Sequence, residues 1–312
     1  MPRYSQGVMV SCTIPWDNDD QIVEPIFRDE IRRAIAARFR HIYIFGTAGE
    51  GYAVDTPRFQ QAVRIFWEET ATLDLHPLVG VIGLSTVQVK ERINYAHGVG
   101  FREFQIVLPS WGVLSDADVL RFFSDVCLAY PDSKFLHYNL PRTKRVLSGA
   151  DYAKITPTVP NLVATKTTSG EMPGAFELIR NAPELQHFMG ERNFPHGILE
   201  GECSLLASWA WLSPERSWAL FNAGREGRVE ELFRLQHDFY RVSQDVFGSL
   251  RSDTRIDGAY DKLILKLGAM EDMPLRLLSP YSGFTEADYR KCLGILRERH
   301  SDWISSAQVA GA

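Results

Sequence analysis

Short apolar runs alternate with helix-patterned segments from the N-terminus to about residue 225, and no other feature narrows the possible folds so far. Strand candidates span residues 7–13, 41–45, 78–82, 103–108, 134–138, 162–166, 186–189 and, more weakly, 203–207. Helix starts fall between them. Thr56-Pro57 joins an N-cap hydroxyl to proline at the first helical position. Ser85 to Gln88 and Ser115 to Asp118 resemble capping boxes. Phe59, Ala62, Val63, Ile65 and Phe66 recur at close to helical spacing. Eight strand–helix units in one chain are what a (β/α)8 TIM barrel requires, and the alternation implies a parallel sheet. A doubly wound open sheet advertises a GxGxxG turn after its first strand, and none is present. Past residue 225 the pattern turns helical over 229–244, 260–270 and 286–299. No low-complexity linker intervenes, so the expected organisation is a barrel over 1–225 with helices of 226–312 packed on it.

Charge and cysteine content exclude several classes of function. The net charge of -5 comes from interspersed acids and bases, which leaves no basic face for nucleic acid. Residues 28–33 read as a solvated, charge-rich helix face. The N-terminus lacks the apolar core of a signal peptide, and no apolar stretch reaches the ~18 residues that cross a bilayer. Cys12, Cys127, Cys203 and Cys292 are widely spaced with no CxxC pair. That usage fits a reduced cytoplasmic protein without a zinc site or disulfide framework.

Chemistry on such a barrel gathers where strands end at their C-terminal edge. Lys166 closes the sixth apolar run, 162–166. An ammonium there is costly unless it is paired, snorkels to water, or loses its proton to become an amine that attacks carbonyls. The second run ends in Gly46-Thr47-Ala48-Gly49-Glu50-Gly51, which reads either as a plain turn or as a nest of N–H groups for a carboxylate. The fifth ends in His137-Tyr138-Asn139-Leu140-Pro141, where Tyr138 is either a core residue or a proton carrier. Amine, anion-binding turn and phenol on one face suit a 2-keto acid. Among secondary candidates, Cys203 and outward-facing His137 read as packing residues. Trp16, Trp111 and Trp211 are candidates for an acceptor wall, although Trp209 and Trp211 read rather as core or interface. Glu191 and Arg192 read as tail-selecting or solvated residues.

In combination these motifs resemble the dihydrodipicolinate synthase and N-acetylneuraminate lyase family of class I, Schiff-base-forming lyases. Gly46 to Glu50 is similar to that family's GTTGE or GSTGE turn, Tyr138 to Pro141 to its YNxP, and Lys166 to its strand-six lysine. Met273-Pro274-Leu275-Arg276 is similar to its apolar-Arg-Pro segment. The resemblance runs from about Gly7 to the last helix. It implies that Lys166 forms an imine with pyruvate or a longer 2-keto acid, with Tyr138 transferring protons and the Thr47 hydroxyl touching Tyr138. The Thr47-Ala48 backbone would hold the carboxylate. It also implies no metal or organic cofactor, and a homo-oligomer, dimer or tetramer. The chain departs from the pattern in five places. Ala48 replaces the turn's second hydroxyl, and Trp111 stands near the synthase's relay tyrosine. The synthase arginine after YNxP has only Arg142 or Arg145 as counterparts, of which Arg142 is the candidate substrate ligand. Residues 201–207 lack a glycine and a serine of the GAxGxIS stretch, and Thr167-Thr168 follows the lysine. These argue against the synthase's own reaction.

The expected activity is therefore carbon–carbon bond cleavage or formation in a 2-keto acid. A dehydratase or hydratase-aldolase using the same imine is the nearest alternative. A catalytically silent keto-acid sensor, motivated by Trp111, and a metal-dependent class II aldolase are more distant ones.

Overall fold

The structure is a computed structural model, and it describes residues 1–168, 172–248, 250, 255–268 and 270–304. Among these residues eight parallel strands close into a barrel in chain order. They are β1 (Val8–Ser11), β2 (His41–Ile44), β3 (His76–Gly80), β4 (Glu103–Ile106), β5 (Lys134–Tyr138), β6 (Leu162–Thr167), β7 (Gln186–Gly190) and β8 (Ser204–Leu206). Val8 pairs with Leu205 to seal the ring. The alternating helices are α1 (Glu24–Ala36), α2 (Thr56–Thr70), α3 (Thr86–Val99), α4 (Asp116–Cys127), α5 (Gly149–Ile155), α6 (Met172–Asn181), α7 (Phe194–Glu200) and α8 (Pro214–Arg225). Beyond them come α9 (Val229–Gly248), α10 (Asp257–Leu267) and α11 (Glu286–Arg299). No helix among the described residues is long and apolar enough to cross a membrane.

Two apolar layers hold the barrel. The larger lies between strands and helices; the smaller fills the interior with Met9, Tyr43, Leu78, Leu136, Ala164, Phe188 and Leu206, closed by Tyr4. Strand alternation sends neighbouring side chains to opposite layers. Tyr138 and Lys166 are register partners and both face inward, whereas the preceding pair, His137 and Thr165, faces the helices. There Nδ1 of His137 meets the Tyr152 hydroxyl at 2.7 Å, and burial lowers its pKa to about 3.

Local signals differ from the sequence expectation at several points. Asp55, not Thr56, caps α2: its carboxylate accepts from the Arg58 N–H, which moves Thr56 and Pro57 into the first turn. Ser115 and Asp118 form a full capping box, but Gln88 turns its side-chain oxygen to the Leu84 N–H and leaves Ser85 a one-sided cap. β3 begins two residues before the apolar run, because His76 and Pro77 extend the pairing with β2 while carrying no strand-like pattern.

Candidate active site

Lys166 stands inside the barrel mouth with only 2% of its surface exposed. Its Nζ donates to the Tyr43 hydroxyl at 2.8 Å and to Oε1 of Gln105 at 3.2 Å. It lies 4.1 Å from the Tyr43 ring centre and 3.8 Å from that of Tyr138. No carboxylate of the described residues lies within ion-pair range. Burial lowers the amine's pKa to about 7, against a smaller opposing pull from Asp261 and Asp257. A lysine near that value is substantially neutral at physiological pH, and its lone pair is available to a carbonyl.

Gly46 keeps this position open. A Cβ there would lie 2.7 Å from the Tyr43 ring and 3.4 Å from Nζ of Lys166. The backbone reaches the turn through Phe45, a bulky residue at φ 59°, in the left-handed region. Within the turn, the Glu50 N–H is taken by the Thr47 carbonyl and the Gly51 N–H by that of Gly46. The N–H groups of Thr47 and Ala48 find no acceptor among the described residues, so both are free for an anion.

Glu50 anchors the turn instead of facing substrate. It is fully buried and accepts from Trp16 Nε1 at 2.9 Å, Lys262 Nζ at 2.7 Å and the Leu278 N–H at 2.7 Å. Lys262 belongs to α10, so this ion pair draws α10 across the barrel mouth. The approach is close: a Cβ on Gly258 would lie 3.0 Å from the Ala48 carbonyl oxygen.

Beyond Lys166 opens a cavity of about 440 Å³ bounded by Tyr43, Ala48, Tyr138, Arg142, Asp257 and Asp261, among others. Tyr138 is buried and its hydroxyl lies 3.4 Å from the Thr168 hydroxyl. Burial raises its pKa, while the Thr168 and Thr47 hydroxyls act in the opposite direction. Arg142 reaches the rim, but both its terminal nitrogens are held by Asp257, at 2.8 and 2.9 Å. Its charge is thus already matched. Trp111 does not border the cavity; its side chain is 84% exposed on the loop after β4, where its carbonyl accepts from Lys144 Nζ.

The other tryptophans also leave the cavity wall. Trp16 is buried against Glu50, and Trp211 donates to the Ser11 carbonyl at 2.9 Å. Glu191 turns its carboxylate onto the N–H groups of Ser208 and Trp209. Cys203 is buried in the outer core. The two hydrogen-bond partners of Lys166, Tyr43 and Gln105, escaped the sequence reading, as did the cavity acids Asp257 and Asp261. The signal for the last two was an acid pair four residues apart within 257–267, a segment otherwise rich in apolar residues. Among the described residues no group of His, Cys, Asp and Glu is arranged to hold a metal ion.

The sequence matches the profile of the dihydrodipicolinate synthetase family over residues 4–257. The chain belongs to that family, and its enzyme class is lyase. Among curated proteins it is similar to the N-acetylneuraminate lyases of Salmonella paratyphi B and Salmonella typhimurium strain LT2. Each is 26% identical over 246 residues, which cover 78% of this chain and 82% of the relative. Among solved structures it resembles YagE from E. coli K12, a prophage protein of the dihydrodipicolinic acid synthase family determined with pyruvate. The TM-score is 0.82 at 18% identity, with 94% and 98% of the two chains covered. It also resembles CdNal from Clostridium difficile, determined with mannosamine, with a TM-score of 0.82 at 15% identity over 95% of this chain and 99% of that one.

Proposed function

We propose that the protein is a class I lyase that cleaves or forms a carbon–carbon bond in a 2-keto acid, with pyruvate as product or donor. One observation carries the reading: a buried lysine amine, its pKa lowered to about 7, faces a cavity between two tyrosines. In the proposed reaction the substrate carboxylate sits on the Thr47 and Ala48 N–H groups. Neutral Lys166 adds to the C2 ketone, and loss of water gives a protonated imine. That cation accepts the electron pair released when the C3–C4 bond breaks, leaving pyruvate as the enamine and the other half as an aldehyde. Tyr138, with Thr47 and Thr168 on its hydroxyl, takes the proton from the C4 hydroxyl and returns one to the enamine carbon. Hydrolysis of the imine restores the amine. Arg142, fixed by Asp257, forms the charged rim that the substrate passes. The reaction invokes no resident metal or organic cofactor.

The reading includes a homo-oligomer. Leu84, Val87, Trp111, Val113 and Val146 are exposed on the segments that follow β3, β4 and β5, neighbouring units of the barrel, and give a second copy an apolar face to cover. Four free, buried cysteines support a cytoplasmic location.

Borohydride treatment with pyruvate, followed by peptide mass spectrometry, tests the reading. Lys166 gains the mass of the reduced pyruvate adduct; adduct on a different lysine overturns the assignment. Pyruvate released per substrate consumed separates cleavage from dehydration.

A further inference from the structure

Among the described residues, Asp261 is the one acid of the cavity wall that the reaction above does not use. It projects from α10 into the same cavity as Lys166 and is 8% exposed. Its neighbour in sequence, Lys262, turns instead into the Glu50 pair. Asp257, one turn earlier, is occupied by the Arg142 fork. The Asp261 carboxyl, by contrast, receives no hydrogen bond from any described residue. A carboxyl so buried is costly unless it is protonated or a ligand completes it. It lies outside ion-pair distance of Lys166 yet is close enough for the two charges to act on each other. Both groups border the one cavity into which a carbon bound to Nζ would project.

Resting on the Schiff-base reading, we propose that Asp261 is a catalytic residue: it protonates the hydroxyl that leaves as water when the imine forms, and stays as the carboxylate counter-ion of the imine. The addition product carries one C2 hydroxyl and one C2–N bond to Lys166. Asp261 gives its proton to that hydroxyl, the C–O bond breaks, and the nitrogen lone pair closes the C=N bond. Neutral carbinolamine and neutral acid become iminium, carboxylate and one water, so charge and atoms balance. No oxidant or further reactant enters.

The reaction has two separate proton tasks, and the wall holds two carriers. Tyr138 packs against Lys166 and the Thr47 turn, where the carbon–carbon bond is handled. Asp261 approaches from α10. Its protonated form is favoured by burial and by repulsion from Asp257 and Glu191, with Lys166 opposing, and its pKa is raised to about 8. The other groups facing this pair are Tyr43, Tyr138 and Arg142. As the lysine becomes a fixed cation on imine formation, it draws the proton off its neighbour, which is the direction that dehydration needs.

The test measures the rate of pyruvate imine formation at Lys166 by timed cyanoborohydride trapping and mass spectrometry. An inert negative neighbour would raise the lysine's pKa, so Asp261→Asn would leave trapping equal or faster. An acid predicts the opposite: Asp261→Asn slows trapping by about a hundredfold or more, and Asp261→Glu recovers part of it. A rate in Asp261→Asn equal to or above that of the parent protein overturns the inference. Should the Asn variant fail to fold, the parent protein's pH profile decides. The rate rises through about 7 as the amine deprotonates and falls through about 8 as the acid does, and the two apparent values belong to the coupled pair. A plateau above the upper value overturns the inference. Parent protein that gives no Lys166 adduct at any pH refutes the Schiff-base reading itself, an outcome distinct from either.

Discussion

At Lys166 two effects act on one proton. Removal from water favours the neutral amine, while Asp261 and Asp257 favour the ammonium, and removal from water wins. The consequence is a pH dependence with a definite sign. Below about 7 the fraction of neutral amine, and with it the rate of pyruvate trapping, falls roughly tenfold per pH unit. A rate that stays level down to pH 5 contradicts this. Lys166→Ala abolishes the adduct. Tyr138→Phe keeps the amine but loses the phenolic proton, so turnover drops by about a hundredfold or more while trapping weakens far less; comparing kcat with adduct yield checks it. Gly46→Ala puts a methyl group against the buried Tyr43 ring and Nζ of Lys166, and is expected both to depress trapping and to lower the melting temperature.

Among the elements, α10 differs most from its appearance in sequence. Apolar spacing placed that helix at 260–270, whereas it runs from Asp257 to Leu267 and carries two acids into the cavity. Acids four residues apart on a helix usually mark its wet face, and only the position of α10 over the barrel mouth makes these two face inward. What fixes that position is Glu50, read in sequence merely as the end of a glycine-rich turn. Its bond to Lys262 is buried on both sides. Removing one partner of such a pair leaves an uncompensated charge and costs about 3–5 kcal/mol. Glu50→Gln should therefore lower the urea midpoint markedly, and should also loosen α10 and slow trapping. A variant with parental stability would show that the pair does not hold the turn.

For the molecule as a whole, the apolar side chains exposed after β3, β4 and β5 predict association. Light scattering should give twice the 35.4 kDa chain mass or more. Replacing Trp111 and Val113 with Lys shifts the mass toward the single chain without unfolding the barrel, since neither is buried. The barrel itself was legible in sequence, because each strand's apolar run and each helix's start depend on residues close together in the chain. Lys166, Tyr138 and the Thr47 turn were legible for the same reason: each ends a strand, and strand ends share one edge of a barrel. The partners of the lysine were not. Tyr43 and Gln105 are spaced like any inward strand residue, and Asp257 and Asp261 like any exposed helix face. Sequence spacing records what neighbours a few residues apart do to one another. Whether a charge is desolvated, matched or left open depends on groups from 61 to 212 positions away, and closure of the barrel under α10 alone brings those together.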